Sequence, residues 1–129
     1  MSDLTFTPTT ARRVLCRVQP LIEEMQRLYL ALERMNERPP GPEQRVALRY
    51  LQGVAALHAS FRALRRQGIR VADARRGRIG FPARRAGRTV WLCWQVGEPG
   101  LAHWRESPTS GSLRMPLDDD GPWEGPGAG

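Results

Sequence analysis

Apolar residues recur at helical spacing through the first third of the chain. They step alternately by four and three residues, which is the a/d spacing of a heptad. The main row consists of Val14, Val18, Leu21, Met25, Leu28, Leu32 and Met35. This pattern predicts an amphipathic helix over about residues 8–36, capped by Thr7 before Pro8. Because Pro20 lies inside the pattern and removes a backbone donor, we expect a kink or a short break near residues 16–19.

A second helical pattern covers about residues 42–67 and ends at Gly68. Its apolar row consists of Ala47, Tyr50, Val54, Leu57, Phe61 and Leu64. Two helices with a short connection are expected to pack as an antiparallel hairpin. About three positions in seven are apolar, a stripe wider than one hairpin covers by itself. We therefore expect the remaining apolar surface to meet the C-terminal strands and a second copy of the protein, in a homodimer formed through the helices.

After Gly68 the apolar period becomes the two-residue period of a strand. The pattern predicts three strands, over about residues 77–82, 89–96 and 101–105. The row expected to face the helices consists of Val90, Leu92, Trp94 and Val96. We therefore predict a single α+β domain over residues 1–106, in which a long antiparallel two-helix hairpin is followed by a three-stranded antiparallel β-meander.

The composition changes again from Ser107 onward. Pro, Gly, Ser and Asp dominate residues 107–129, so we expect a disordered acidic tail. No apolar run approaches the roughly 20 residues that span a bilayer, and the N-terminus lacks the apolar core of a secretory signal. Cys16 and Cys93 have no paired spacing, which is typical of reduced thiols. These features predict a cytoplasmic protein without a membrane segment.

The positive charge is concentrated in one segment. All twenty basic residues are arginine, and ten of them lie between residues 60 and 90 with Asp73 as the only acid. Such a block is the electrostatic footprint of a protein that binds nucleic acid or another polyanion, although a solvated arginine face has the same composition. The predicted polyanion-binding residues are Arg84, Arg85 and Arg88 on the turn between the first two strands, supported by Arg75, Arg76 and Arg78.

Three side chains near the last hairpin carry candidate chemistry. Cys93, Glu98 and His103 supply a thiol, a carboxylate and an imidazole, the parts of nucleophilic or metal-assisted catalysis. The simpler interpretation is a packed cysteine, a turn acid and a surface histidine, and no zinc motif or phosphate-binding glycine loop accompanies them. We expect no metal and no cofactor. Trp104 belongs to the same candidate cluster, and any tryptophan left facing outward could stack a base.

Residues 81–104, which read FPARRAGRTVWLCWQVGEPGLAHW, are the most distinctive segment of the chain. They resemble the signature of a bacterial family, domain of unknown function 2203, whose members read close to FPARRxGRxVxLCWxxGEPxxxxWH. FTPTTARRVL and QPLIEEM resemble the opening helix of that family, so the resemblance covers roughly residues 6–117. It implies no particular reaction. Arg105 stands where the family has a histidine, and we expect the shift of this histidine to position 103 to place the imidazole on the other face of the strand.

These observations together predict a non-catalytic basic module that binds a polyanion, namely RNA or a ribonucleoprotein surface. Two alternatives remain open at this point. One is an oligomeric scaffold that holds a protein partner through its helical hairpin. The other is a small metal-dependent enzyme built around Cys93, Glu98 and His103.

Overall fold

The computed structural model of the protein describes residues 5–37, 44–107 and 113–125. Two helices come first: α1 is Pro8–Glu37 and α2 is Gln44–Arg66. The start of α1 is capped as predicted, because the backbone N–H of Thr10 donates to the Thr7 hydroxyl at 3.2 Å. In return the Thr7 N–H donates to the Thr10 hydroxyl at 2.8 Å, so two donors at the helix start are satisfied.

The helix α1 continues through Pro20 without interruption. The break expected near residues 16–19 is therefore wrong. Pro20 cannot donate to the carbonyl of Cys16, but both residues are exposed. Water can therefore satisfy the freed carbonyl, and the helix loses only one internal hydrogen bond.

A five-stranded antiparallel sheet follows the helices. The strands are β1 Arg70–Asp73, β2 Arg78–Arg85, β3 Arg88–Gln95, β4 His103–Arg105 and β5 Met115–Pro116. They pair in chain order, each antiparallel to the next. The predicted α+β class, with two helices followed by an antiparallel meander, is confirmed. The predicted number of three strands is wrong, because β1 and β5 are too short to show a two-residue period of their own.

One face of the sheet packs on the helices and carries the core. The buried side chains of β2 and β3 on this face are Ile79, Phe81, Ala83, Val90, Leu92 and Trp94. They join a row from α1 that includes Leu15, Val18, Ile22 and Met25. The predicted helix-facing row of β3 is therefore confirmed. Phe6, just before α1, packs edge-on against Phe81 with ring centroids 5.1 Å apart.

The C-terminal segment 113–125 lies against the sheet. The N–H of Leu117 donates to the carbonyl of Ala102 at 2.9 Å, and the N–H of Glu124 donates to the carbonyl of Arg84 at 3.0 Å. Leu117 and Trp123 are partly buried against the core. The expectation of a disordered tail is wrong for these residues, since two apolar anchors and a set of backbone hydrogen bonds hold them. Residues 108–112 and 126–129 of the predicted tail lie outside the described part of the chain.

Among the described residues, no helix is both long enough and apolar enough to cross a lipid bilayer.

Candidate functional site

The basic turn predicted over residues 84–88 is shorter than expected. Ala86 and Gly87 both have positive φ, 50° and 79°, and together they form a tight two-residue hairpin turn between β2 and β3. The three predicted turn arginines are therefore strand residues. Arg84 faces away from the helices, whereas Arg85 and Arg88 alternate onto the helix-packed side, so they do not form one basic patch.

Each of these three arginines also has a carboxylate partner from the C-terminal part of the chain. The nitrogen-to-oxygen distances are 3.6 Å from Arg84 to Glu124, 3.0 Å from Arg85 to Asp118 and 3.4 Å from Arg88 to Glu106. Partly exposed pairs of this kind add little stability, but they offset the positive charge locally. A polyanion would have to displace these acids before it could bind here.

Arg85 is the most enclosed of the three. Its guanidinium lies 5.0 Å from the ring centroid of Trp104 and 4.8 Å from that of Trp123. The two indoles meet edge-on, with centroids 6.1 Å apart. Together with its Asp118 pair, this arrangement makes Arg85 a structural link between the sheet and segment 113–125. Trp104, a predicted site residue, belongs to this link on the helix-packed side.

The three supporting arginines are divided between paired and unpaired positions. Arg75 lies 3.0 Å from Glu33 of α1, and Arg76 lies 3.8 Å from Asp73. Arg78 instead donates to the side-chain oxygen of Gln95 at 3.2 Å. Among the described residues, Arg78 is thus the only one of the six predicted polyanion-binding arginines without a carboxylate partner.

The second face of the sheet, which we call the open face, turns away from the helices. Its members alternate with the core residues of β2 and β3, and cross-strand partners share the face. The open face comprises Arg70, Asp73, Arg78, Gly80, Pro82, Arg84, Thr89, Trp91, Cys93, Gln95, His103 and Arg105. It combines one large aromatic ring with the side chains of four arginines, and it is the strongest candidate for a binding surface.

Trp91 is the centre of the open face. Its indole packs over Gly80, where an added Cβ atom would come within 3.3 Å of the ring. The absence of a side chain at Gly80 therefore lets the indole lie close to the neighbouring strand. Trp91 remains partly exposed, and the guanidinium of Arg70 lies 5.7 Å from its ring centroid. The result is an aromatic platform with an arginine over its ring.

His103 and Arg105 lie on the open face together. Arg105 pairs with Trp91 and His103 pairs with Cys93, and positions two apart on a strand share a face. The expectation that the imidazole moves to the other face is therefore wrong, because positions 103 and 105 differ by two residues. The Nδ1 atom of His103 and the Nε atom of Arg105 are buried, and neither has a hydrogen-bond partner in the part of the chain that the structure describes.

Arg114 contacts both Glu98 and Cys93. The Glu98 carboxylate accepts from the N–H of Gln95 at 2.8 Å and from the guanidinium of Arg114 at 2.6 Å. Burial alone would lower the pKa of Arg114, but the hydrogen bonds and charges of Glu98 and Cys93 outweigh it, so the pKa is raised. Glu98 is thus committed to structural contacts and is poorly placed to act as a free base.

The predicted cluster of Cys93, Glu98 and His103 is only partly assembled. Cys93 is buried directly opposite His103 on the next strand, while Glu98 lies in the following turn. Within residues 5–37, 44–107 and 113–125, no group of three His, Cys, Asp or Glu side chains is placed to hold a metal ion. Of the three predicted residues, the structure thus brings Cys93 and His103 opposite each other, while Glu98 is engaged by Arg114.

Sequence reasoning missed three members of the site, namely Arg70, Trp91 as its centre, and Arg105. The alternating pattern of β3 and β4 could have identified two of them as residues that face away from the core. Trp91 alternates with the apolar row, and Arg105 lies one position after Trp104 in the last predicted strand. Arg70 gave no signal, because β1 has only four residues.

The chain was compared with known protein families, curated proteins and solved structures. No curated protein and no solved structure matches the chain. The model of the DUF2203 family, described as an uncharacterized conserved protein, matches residues 4–117. This match covers both helices, the sheet and the whole open face, and the chain therefore belongs to the DUF2203 family.

Proposed function

We propose that this protein is a non-catalytic module that binds single-stranded RNA on the open face of its sheet. One observation carries the proposal: the partly exposed Trp91 shares its face with three arginines that have no carboxylate partner among the described residues. Among the described residues, Arg70, Arg78 and Arg105 lie on this face without an acidic partner. An aromatic ring for base stacking beside cations for phosphates is the usual composition of a surface that binds single strands.

The shape of the face favours a single strand over a duplex. Trp91 lies close to the sheet over Gly80, and Arg70 lies over its ring, so a base that stacks on the indole takes the place of this guanidinium. In a duplex the faces of the bases are already stacked on each other, so this platform would have nothing to contact. In a single strand a base can be splayed onto the indole, and the adjacent phosphates then fall within reach of Arg70, which is exposed.

The site therefore lies on the open face and not at the hairpin turn. Charge at the turn is offset by Glu106, Asp118 and Glu124, and each of these acids comes from the segment that follows β3. Near the open face, the carboxylate of Glu98 is engaged by Arg114, and Asp73, the cross-strand partner of Arg78, is engaged by Arg76. Among the described residues, Arg70, Arg78 and Arg105 therefore leave positive charge without an ion pair on the face that carries Trp91.

Salt dependence tests the proposal directly. The double variant Arg70→Gln with Arg78→Gln is expected to bind a uridine decanucleotide more weakly. Because two phosphate contacts are lost, the slope of log K against log salt should flatten by about 1 to 1.5. Affinity is measured by fluorescence anisotropy over a range of NaCl concentrations.

The matched control is the double variant Arg75→Gln with Arg76→Gln, which removes the same formal charge. These arginines are paired with Glu33 and Asp73, so the slope should stay close to that of the wild type. If both double variants change the slope equally, binding follows net charge alone and the open face is not the site.

We also propose that the helical hairpin forms a homodimer. Towards the end of α1 and the beginning of α2, the hairpin carries an apolar groove of about 500 Å³ between the helices. The groove is lined by residues that include Leu28, Met35 and Gly53. At the same end Leu48 is 56% exposed and Leu51 is 63% exposed. Since a groove and protruding leucines occur together, a two-fold arrangement lets each copy fill the groove of the other.

Substitution of the exposed leucines tests the dimer. Leu48→Gln with Leu51→Gln is expected to shift the protein from dimer to monomer, while the stability of the monomer changes by no more than about 0.5 kcal/mol per site. Sedimentation velocity at several concentrations measures the assembly. Leu113→Gln is the control, because Leu113 is 81% exposed but lies in the C-terminal segment. A wild-type protein that is monomeric at every concentration would contradict the proposal.

A further inference from the structure

Arg105 is a buried cation without a counter-charge. Only 9% of the residue is exposed, and its Nε atom has no hydrogen-bond partner. The described residues also provide no ion pair for its guanidinium. Burial of an unpaired charge is strongly unfavourable, and proteins normally offset it with an acid, a hydrogen-bond network or a bound anion.

A second unpartnered group lies beside Arg105. The Nδ1 atom of His103 is buried and has no hydrogen-bond partner. His103 and Arg105 are two positions apart on β4, so their Cα atoms are about 7 Å apart and their side chains share the open face. Two nitrogen groups therefore lack partners at neighbouring points of one surface.

The acids near this position are already engaged. Glu98 is held by Arg114 and the N–H of Gln95. Glu106 follows Arg105 but alternates to the other side of the sheet, where it pairs with Arg88. The charge of Arg105 is therefore left for a ligand that enters from the open face.

Phosphate is the ligand chemistry that fits these groups. A phosphate monoester carries a charge of about −1.5 to −2 at neutral pH and offers three acceptor oxygens to neighbouring donors. A phosphodiester within a strand carries one charge and has a nucleotide on each side. Because Arg105 is nine-tenths buried, a terminal group with one substituent can reach it more closely than an internal phosphate.

We propose that Arg105 and His103 bind the terminal phosphate monoester of an RNA strand whose last base stacks on Trp91. This inference rests on the proposed RNA-binding function and names the part of the strand that the site recognises. The register supports it, since Arg105 is the cross-strand partner of Trp91. A base on the indole and its terminal phosphate at Arg105 then occupy adjacent positions.

Three forms of one decanucleotide test the inference. They carry a 5′ phosphate, a 3′ phosphate, or a hydroxyl at both ends. One phosphorylated form is expected to bind the wild type about tenfold more tightly than the hydroxyl form, since a charge-assisted contact is gained. Arg105→Gln should abolish this preference, whereas Arg88→Gln, on the other side of the sheet, should retain it. Equal affinity of the wild type for all three forms overturns the inference.

A second measurement needs no substitution at Arg105 and separates this inference from the RNA-binding function. The chain has two histidines, so the side-chain nitrogens of His103 and of the exposed His58 can be followed together by NMR. Adenosine 5′-monophosphate or 3′-monophosphate should shift the His103 nitrogens, while adenosine should not, and His58 should be unaffected. If no form of the RNA binds but a monophosphate shifts His103, the phosphate site stands and the RNA-binding function fails. If RNA binds with no preference and no shift of His103 occurs, the RNA-binding function stands and the phosphate site fails.

Discussion

Trp94→Ala is expected to lower the free energy of unfolding by about 3 to 5 kcal/mol. Trp94 is the largest of the fully buried side chains, with 1% of its surface exposed. Its truncation leaves a cavity where the sheet meets the helices. Its indole N–H also donates to the carbonyl of Glu98 at 3.3 Å, so the turn after β3 loses a contact at the same time. Urea denaturation followed by circular dichroism measures the change.

Trp91→Ala provides the matched control for stability. Trp91 lies on the same strand as Trp94 but on the open face, where it is partly exposed. Its truncation should therefore cost much less than that of Trp94. Since a domain of this size has a total stability of about 5 to 15 kcal/mol, Trp94→Phe is a milder variant to use if the alanine variant does not fold. Equal stabilities for the two alanine variants would contradict the assignment of the two faces.

Trp91→Ala is expected to weaken the binding of single-stranded RNA by about 5-fold to 150-fold. This range corresponds to the roughly 1 to 3 kcal/mol that a stacked base contributes. Trp91→Phe should recover part of the affinity, because a phenyl ring also stacks but has a smaller area. Anisotropy titration of the uridine decanucleotide at fixed salt measures both variants.

The control for this loss is Trp123→Ala. Trp123 is also partly exposed and also contacts an arginine, but it packs with Trp104 and Arg85 away from the open face. RNA affinity should be almost unchanged in this variant, although segment 113–125 should be held less firmly. Unchanged affinity in Trp91→Ala would remove the basis of the proposed function. The arginines of the open face would then be a solvated surface only.

Local periodicity accounts for the parts of the fold that could be predicted. The recurrence of Val18, Met25 and Leu32 requires a helix that buries one stripe, and the alternation of Val90, Leu92 and Trp94 requires a strand with one buried face. Both patterns repeat several times within a few residues. Their outcome therefore depends little on the rest of the chain, and the structure confirms two helices followed by an antiparallel sheet.

Segment 113–125 could not be predicted in this way. Its composition is that of a flexible tail, yet Leu117 and Trp123 pack on the core and Ala86 donates its N–H to the carbonyl of Pro122 at 3.1 Å. Leu117 and Trp123 are separated by five residues and form no repeating pattern from which a helix or a strand could be predicted. Leu117 and Trp123 dock on a surface that β2 and β4 form. The composition of the segment gives no information about that surface.

The pairing of the charged residues at the site could not be predicted from the sequence either. By itself the sequence determined that arginine is concentrated between residues 60 and 90, because composition is a local property. Only the tertiary structure decided which arginines are free, since their partners are distant in the chain: Arg85 pairs with Asp118 and Arg75 pairs with Glu33. Electrostatic pairing depends on distance in space and on burial. That is the physical reason why the predicted basic turn is neutralised, while Arg105 is buried and has no ion pair among the described residues.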